Sequence, residues 1–429
     1  MSQTLDSKIR FRRDVARAHS DATIGRASTL MVKEGPVYDG RAREIFPIVL
    51  VNLILTFLTL GIYRFWAKTR LRRYFLSRIA FLGDRLEYTG TGKELFLGFL
   101  IVLAVLVPLS IVYELVAQFV MSQNPTALAF VWVGYALIFY YLYHFAVYRA
   151  QRYRLSRINW RGIRGGQKGS ALLYAAQAFG WSIIVVATAG LAYPLMRVNL
   201  VRYKIDNACF GDETFAFDGG FMRLFMAWLI PWLGILAVIV PFVLLTVMAG
   251  EMNVAGGSSK WPPEFAAAYK GLAPYMGFGA IIFILGIFWY RAAEVRFFAD
   301  HTQFDDLRFG SELRGLLILW PYVLYGVATA LPFIAVLAVA AGLGAVDILG
   351  GVPNAEQIAG IIVGVGIVLA ILVIGSILQP LIVQNLLIRA FCKKLTIQGS
   401  FSPDRLFQNQ LAIPQRGEGL ADALDIDAF

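Results

Sequence analysis

The amino-acid sequence predicts a mainly α-helical integral membrane protein. In this prediction, repeated pairs of transmembrane helices are joined by cytoplasmic connectors, each an amphipathic helix followed by a β-hairpin. Three observations support it. The 429-residue chain is 58% hydrophobic and 16% charged, which is more apolar than one soluble core can bury. The apolar residues fall into eight long segments, and the basic segments between them resemble one another.

The eight apolar segments are long enough to be membrane elements. They cover approximately 46–66, 95–120, 129–148, 171–196, 223–249, 272–290, 315–343 and 358–385. We interpret residues 1–36 as a mobile, basic cytoplasmic tail. Residues 37–404 then form the repetitive membrane domain, and residues 405–429 form a C-terminal tail.

The connecting segments, which we call collars, are basic and aromatic and recur along the chain. Arg73–Ile79 returns as Arg152–Ile158 with six of seven residues identical, and a weaker copy begins at Arg202. Alternating polar and apolar residues after a turn, as in Asp84–Tyr88, predict a β-hairpin in the collar. Because one isolated hairpin is marginally stable in water, we expect several collar hairpins to pair into a small cytoplasmic sheet.

The net charge of +11 is explained by the basic collars. Residues 64–93 and 149–168 are rich in Lys and Arg, whereas 121–128 and 345–357 contain neither. Basic connections remain on the cytoplasmic side of a membrane. We therefore expect the collars and both termini to be cytoplasmic. Topology accounts for the basicity, so we predict no nucleic-acid partner.

Two apolar segments do not fit a simple crossing. Segments 46–66 and 171–196 have basic collars on both flanks, and each is too short for two crossings of about 20 residues. We predict that both are re-entrant or interfacial and are covered by protein or by a water-filled cavity. Six spanning helices then remain. The alternative of eight simple crossings stays open, because connections 197–222 and 291–314 carry enough acidic residues to blur the charge rule.

One family resemblance is visible, and it begins in the first apolar segment. Its most specific part is the string Leu58-Thr59-Leu60-Gly61-Ile62-Tyr63, followed by Trp66-Ala67. Further matching residues are Gly40, Glu44, Phe46, Asn52, Arg72, Arg73, Tyr74, Gly83 and Arg85. On these residues the chain resembles the YjgN family of bacterial inner-membrane proteins, a domain of unknown function, over residues 38–429. The resemblance implies a multi-span protein of the bacterial inner membrane, and it implies no substrate, cofactor or catalytic residue.

Enzyme signatures are sparse. The three histidines, His19, His144 and His301, lack metal-ligand spacing with one another, and Cys209 and Cys392 are far apart. We predict free thiols, no metal site and no cofactor. An enzyme is the least favoured class, because no nucleophile and base or metal cluster can be recognised.

Polar residues inside apolar segments are the better functional candidates, because each needs a partner in hydrocarbon. The candidates for lining a cavity are Asn52, Thr59, Glu114, His144, Gln177 and Gln379. Hydrogen bonding between helices is the simpler explanation for each of them. The functional hypothesis is transport or handling of a small solute or lipid through a cavity among proline-kinked helices. The alternative is a membrane scaffold or sensor that binds protein partners through its collars and tails.

Four collar arginines are candidates for binding anionic lipid headgroups or an anionic solute. They are Arg73, Arg78, Arg152 and Arg157. The simpler role for these residues is to orient the chain at the lipid surface. In either case, we predict membrane lipids with anionic cytoplasmic headgroups as partners.

Overall fold

The computed structural model describes residues 30–255, 263–342, 366 and 373–411. Over these residues the helices follow one another in pairs, each pair leading into a collar. In chain order the helices are α1 (Ala42–Leu58), α2 (Arg64–Ser77), α3 (Gly92–Gln123), α4 (Leu128–Arg157), α5 (Ala171–Ala187), α6 (Tyr193–Asp206), α7 (Met222–Ala255), α8 (Pro263–Asp300), α9 (Gly315–Gly342) and α10 (Val373–Lys394).

Short strands follow α2, α4, α6, α8 and α10, and two more precede α1. The strands are β1 (Leu30–Val32), β2 (Val37–Tyr38), β3 (Ile79–Phe81), β4 (Asp84–Arg85), β5 (Glu87–Tyr88), β6 (Ile158–Trp160), β7 (Ile163–Gln167), β8 (Ala208–Phe210), β9 (Glu213–Phe217), β10 (Thr302–Phe304), β11 (Leu307–Ser311) and β12 (Leu395–Phe401).

The strands of different collars pair with one another. The order in the larger sheet is β1-β12-β11-β10-β9-β8-β7-β6-β5, and β2-β3-β4 form a smaller one. All the pairings are antiparallel: Glu87 lies opposite Asn159, and Gly165 lies opposite Phe210. The predicted pairing of collar hairpins is therefore confirmed.

The two sheets are linked at both ends by short stretches of chain, so that the strands together follow a ring. Leu86 alone separates β4 from β5, and residues 33–36 separate β1 from β2. β1 pairs with β12 and β2 pairs with β3, so the N-terminal segment closes the ring. Residues 30–36 of the predicted N-terminal tail therefore belong to the strand assembly.

Apolar side chains from several collars form the core of the strand assembly. The buried members are Val32, Trp160, Phe304, Leu307, Ile397 and Phe401. The Trp160 indole also donates a hydrogen bond to the Phe81 carbonyl at 3.3 Å. Since each collar contributes only a few apolar residues, pairing is what gives the hairpins a shared core. All the collars consequently lie at the same end of the helix pairs.

The helices fall into two length classes. Helices α1 and α5 have 17 residues each, or about 26 Å at 1.5 Å per residue, which is short of the roughly 30 Å hydrocarbon core. Five helical stretches of the described chain are long and apolar enough to cross a membrane. They are Gly92–Gln123, Pro125–Arg157, Met222–Ala249, Pro263–Asp300 and Val373–Lys394.

These stretches correspond to five of the six segments predicted to span. The sixth, 315–343, corresponds to α9, in which the apolar stretch identified is Gly315–Ala330. The predicted connection 345–357 lies outside the described residues, as do residues 1–29 and 412–429 of the predicted tails. The number of crossings therefore remains a prediction.

The two short helix pairs reverse direction through the same turn. Between α1 and α2, Leu60 and Gly61 are left-handed, with φ of 50° and 90°. The Thr59 hydroxyl donates to the Leu55 carbonyl at 2.7 Å and accepts from the Tyr63 amide at 2.9 Å. An equivalent turn at 188–192 joins α5 to α6. Each short pair therefore returns to the collar end within five residues.

Candidate functional site

A cavity of about 460 Å³ lies between the first helix pair, α10 and the end of α4. Most of its wall is apolar, with Val49 and Leu53 from α1, Phe75 from α2 and Ile388 from α10. Its volume is in the range of sites that bind small molecules. An apolar wall of this kind suits the hydrocarbon part of a ligand.

Three basic side chains also line the cavity. Lys68 and Arg72 are four residues apart on α2, and Arg154 comes from α4. Side chains four residues apart lie on the same face of a helix, so both α2 residues reach the cavity. No Asp or Glu is among the described residues that line it. The cavity therefore combines an apolar wall with a positive charge that favours anions.

Uncharged polar groups complete the lining, and Asn52 is the most buried of them. Its side chain is 4% exposed, and its Nδ2 donates to the Ala67 carbonyl of α2 at 3.3 Å. Its Oδ1 has no hydrogen-bond partner among the described residues. Leaving such an atom unpaired costs about 1–3 kcal/mol, and a ligand hydroxyl would satisfy it. The other uncharged polar lining residues include Thr56, Ser376, Gln379 and Gln384.

The wall formed by α10 contains a π-helical turn, Gln379–Gln384. Pro380 lies inside this turn and is buried. Proline lacks the amide hydrogen that an α-helix would use and pushes against the preceding turn. Single π-helical turns occur often at functional sites. The turn places both of its terminal glutamines in the cavity lining.

The cavity is located where the last helix pair meets the first. The Tyr38 hydroxyl donates to Asn385 Oδ1 at 2.8 Å, and the Arg389 guanidinium donates to the Gly40 carbonyl at 2.8 Å. Both contacts join α10 to the segment that precedes α1. The cavity therefore depends on ring closure by residues far apart in the chain.

The structure brings two of the six predicted cavity residues together, Asn52 and Gln379. Thr59 forms the turn at the tip of the first helix pair. Glu114 is exposed on α3 and accepts a hydrogen bond from Gln118 at 3.0 Å. His144 packs beside Tyr140 and Tyr143, with ring centroids 4.6 and 5.1 Å away.

Gln177, the sixth candidate, is half-buried on α5 and is not among the residues that line the cavity. Among the described residues, no group of three or more His, Cys, Asp or Glu side chains is placed to hold a metal ion. The chemistry of the cavity therefore rests on cations, amides and hydroxyls.

The four collar arginines make contacts within the protein. Arg78 pairs with Glu44 at 2.8 Å, and Arg157 pairs with Glu94 at 2.7 Å. Arg73 donates to the Gly90 carbonyl at 3.3 Å. Arg152 donates in the same way to the Gly169 carbonyl. The contacts join helix ends to neighbouring collars, and anion binding by these arginines remains a prediction.

The three basic residues of the cavity were not among the residues predicted from the sequence to line it. Lys68 and Arg72 fall in the basic collar, where membrane topology already explained their charge. Lys68 and Arg72 are four residues apart and follow the apolar segment that contains Asn52. This spacing was the available indication that both side chains could face one cavity. For Arg154 no local pattern was available, because all of its neighbours in the cavity except Ile158 come from other parts of the chain.

The long apolar helices with their connecting strands at one end define a helical integral membrane protein. The chain belongs to the family described as "Bacterial protein of unknown function (DUF898)", which it matches over residues 35–423. It is also similar to "Inner membrane protein YjgN" of Salmonella typhimurium strain LT2, with 38% identity over 77 residues. The predicted resemblance to that family is confirmed.

That match covers 18% of this chain and 20% of the Salmonella protein. The protein of the same name from Escherichia coli O157:H7 is 37% identical over 65 residues, covering 15% of this chain and 16% of that protein. The matched region thus spans about a fifth of these relatives or less. No solved structure matches the chain.

Proposed function

We propose that this protein is a multi-pass protein of the bacterial inner membrane that binds an amphipathic anion in the cavity between α1, α2 and α10 and handles it there. The relatives named inner membrane proteins support the location. The observation that carries the binding proposal is the combination of an apolar wall with the basic side chains of Lys68, Arg72 and Arg154 in one cavity. Acidic lipids and apolar organic acids have this chemistry.

The proposal includes a membrane arrangement. Six helices cross the bilayer, the two short pairs are re-entrant, and the collars are cytoplasmic. The shortness of α1 and α5 supports re-entry. At the tip of the first pair, Phe57, Leu58 and Leu60 are 81%, 70% and 94% exposed. Such an apolar tip is stable in lipid and costly in water.

The helix pairs are proposed to be copies of one unit. An arginine near the end of the second helix donates to a carbonyl 17 residues further on in four of the pairs. The pairs of residues are Arg73 and Gly90, Arg152 and Gly169, Arg202 and Gly219, and Arg296 and Leu313. A shared contact at a fixed spacing supports duplication. The alternative role as scaffold or sensor remains a prediction.

Binding is tested with fluorescent lysophosphatidylglycerol, which is anionic, and fluorescent lysophosphatidylcholine, which is zwitterionic. The purified protein in detergent is titrated with each. We expect saturable binding of the anionic probe, weakened at least about tenfold when Lys68→Gln and Arg72→Gln are combined. Arg70→Gln is the matched control, because Arg70 is exposed on the same helix.

Equal binding of both probes would contradict the proposal, as would equal losses in the double variant and in Arg70→Gln. Size-exclusion chromatography and thermal unfolding of each variant establish that it is folded. Handling is tested separately, by the rate at which labelled phosphatidylglycerol crosses between leaflets of liposomes that contain the protein. A rate equal to that of empty liposomes would indicate that the protein binds the lipid but does not move it between leaflets.

A further inference from the structure

A second pocket, of about 390 Å³, lies in the strand assembly, apart from the cavity described above. It is lined by Arg152 from α4 and by Arg164 and Lys168 in and beside β7. Among the described residues, no carboxylate lines it. Three cationic side chains thus share one pocket.

The backbone of β7 gives this pocket room. Gly165 and Gly166 lie in its wall without side chains. A Cβ atom on Gly166 would lie 2.9 Å from Leu411 Cδ1 and 3.0 Å from Cys209 Sγ. Any larger residue at Gly166 would therefore push against the side chains of Leu411 and Cys209. The absence of a side chain at Gly166 lets Leu411 pack close to β7.

The segment after β12 forms the opposite wall. The Arg164 guanidinium donates to the Leu411 carbonyl at 2.7 Å, and the Asn409 amide donates to the Arg164 carbonyl at 3.1 Å. The Phe407 amide donates to Asp212 Oδ1 at 3.0 Å. This segment falls in the part of the chain predicted to be a C-terminal tail. Its docking makes the pocket a concave site.

A buried amide side chain lies in the wall of the pocket. Gln167 is 3% exposed and lines the pocket. It lies near the Tyr148 hydroxyl, which donates to the Lys168 carbonyl and still has lone pairs that can accept from the Gln167 amide. Neither Gln167 Nε2 nor Oε1 makes a hydrogen bond of normal geometry within the described chain. The Oε1 acceptor of Gln167 is thus available to a ligand that carries hydroxyls.

We propose that this pocket binds a hydroxyl-bearing phosphate ester. Arg152, Arg164 and Lys168 would hold the phosphate oxygens, because guanidinium and ammonium groups donate strong charge-assisted hydrogen bonds to phosphate. Gln167 Oε1 would accept a hydrogen bond from a ligand hydroxyl. A soluble sugar or glycerol phosphate has this chemistry, and so does the phosphoglycerol headgroup of an acidic lipid. The inference does not depend on the proposed function of the first cavity.

The soluble source is tested by isothermal titration of the purified full-length protein in detergent with glycerol 3-phosphate, in buffer of fixed ionic strength. The lipid source is tested by binding of labelled phosphatidylglycerol, against phosphatidylcholine, in nanodiscs. The lipid experiment uses a protein that carries both Lys68→Gln and Arg72→Gln. In this variant, lipid binding in the first cavity is weakened and contributes little to the signal.

The test variant is Lys168→Gln, because Lys168 is exposed and its backbone contacts do not need its side chain. We expect it to weaken binding by about tenfold or more, and Gln167→Leu to weaken binding without any change in charge. The matched control, Arg308→Gln, removes one charge from an exposed position of β11, and we expect it to bind as the wild type does.

Specific glycerol 3-phosphate binding assigns a soluble ligand, and specific phosphatidylglycerol binding assigns a lipid headgroup. Either result supports the proposal if it depends on Lys168. Absence of saturable binding in both experiments would overturn it. Equal weakening by Lys168→Gln and Arg308→Gln would also overturn it, because that result indicates general surface charge.

Discussion

The Arg389 guanidinium at the end of α10 donates a hydrogen bond to the Gly40 carbonyl, immediately before α1, at 2.8 Å. The arginines of the other four helix pairs make the same kind of contact with a carbonyl 17 residues downstream. For Arg389 the acceptor is instead 349 residues upstream. The last helix pair is thus joined to the first by the contact that joins consecutive pairs.

The first prediction concerns this ring closure. Replacing Arg389 by Gln removes the charged donor to Gly40, so we expect the free energy of unfolding to fall by about 1 kcal/mol. We also expect weaker binding of the anionic probe, because the cavity lies at this junction. Chemical unfolding in detergent measures the first effect. Arg43→Gln is the control, since Arg43 is exposed on α1, and an equal loss in both variants would contradict the assignment.

The second prediction concerns the turn of the first helix pair. Gly61 has φ of 90°, and a Cβ atom there would meet nothing within 4 Å. Gly61→Ala therefore tests backbone strain alone, and we expect a loss of about 1–2 kcal/mol in the free energy of unfolding.

The control for this turn is Gly180→Ala in the helix α5, where a Cβ atom also meets nothing. Alanine is favoured over glycine inside a helix by about 1 kcal/mol, so this variant is expected to gain stability. Equal effects of the two substitutions in the same unfolding experiment would show that the left-handed turn is absent.

The third prediction concerns charge in the cavity. Asn52→Asp is nearly isosteric, and it introduces a negative charge among Lys68, Arg72 and the bound anion. We expect binding of lysophosphatidylglycerol to weaken by about tenfold or more, because juxtaposed like charges cost several kcal/mol. Asn124→Asp makes the same change at an exposed helix cap, where an aspartate caps equally well. Unchanged affinity in Asn52→Asp would place the ligand elsewhere.

The fourth prediction concerns the pH dependence of stability. Arg85 donates to Asp39 at 2.6 Å, and this hydrogen bond and charge hold the pKa of Asp39 below its usual value. The pair therefore stabilises the folded protein above the ordinary pKa of an aspartate, and the contribution is lost as the pH falls through the lowered pKa.

Wild type and Asp39→Asn are compared by unfolding between pH 7 and pH 3. We expect wild type to be slightly more stable at pH 7, since the pair is largely exposed, and the difference to shrink toward pH 3 as Asp39 begins to be protonated. A difference that grows toward low pH would contradict this linkage. Arg85→Gln is expected to give the same profile as Asp39→Asn.

Local pattern was sufficient to predict the helix pairs and the pairing of the collars. The collar copies at Arg73 and Arg152 carry the same residues, and their alternating segments form strands as predicted. Ring closure was not predictable, because β1 and β12 share no local pattern and lie at opposite ends of the chain. Their pairing placed residues 30–36 in the strand assembly.

The candidate site was predicted in part for the same reason. Asn52 and Gln379 were recognisable as polar residues in apolar segments, but their proximity depends on the ring. Lys68 and Arg72 were assigned to topology, since a basic residue beside an apolar segment fits the charge rule wherever its side chain points. Arg154 reaches the cavity only because α4 lies beside the first pair.

The central claim is that an amphipathic anion binds between α1, α2 and α10. The most direct measurement is photocrosslinking of the unmodified protein with lysophosphatidylglycerol that carries a diazirine in its acyl chain, followed by mass spectrometry of the peptides. We expect adducts on cavity-lining peptides around Leu53, Leu71 and Ile388, and we expect unlabelled lysophosphatidylglycerol to suppress them. Adducts confined to the lipid-exposed faces of α3, α4 and α7, without competition by unlabelled lipid, would contradict it.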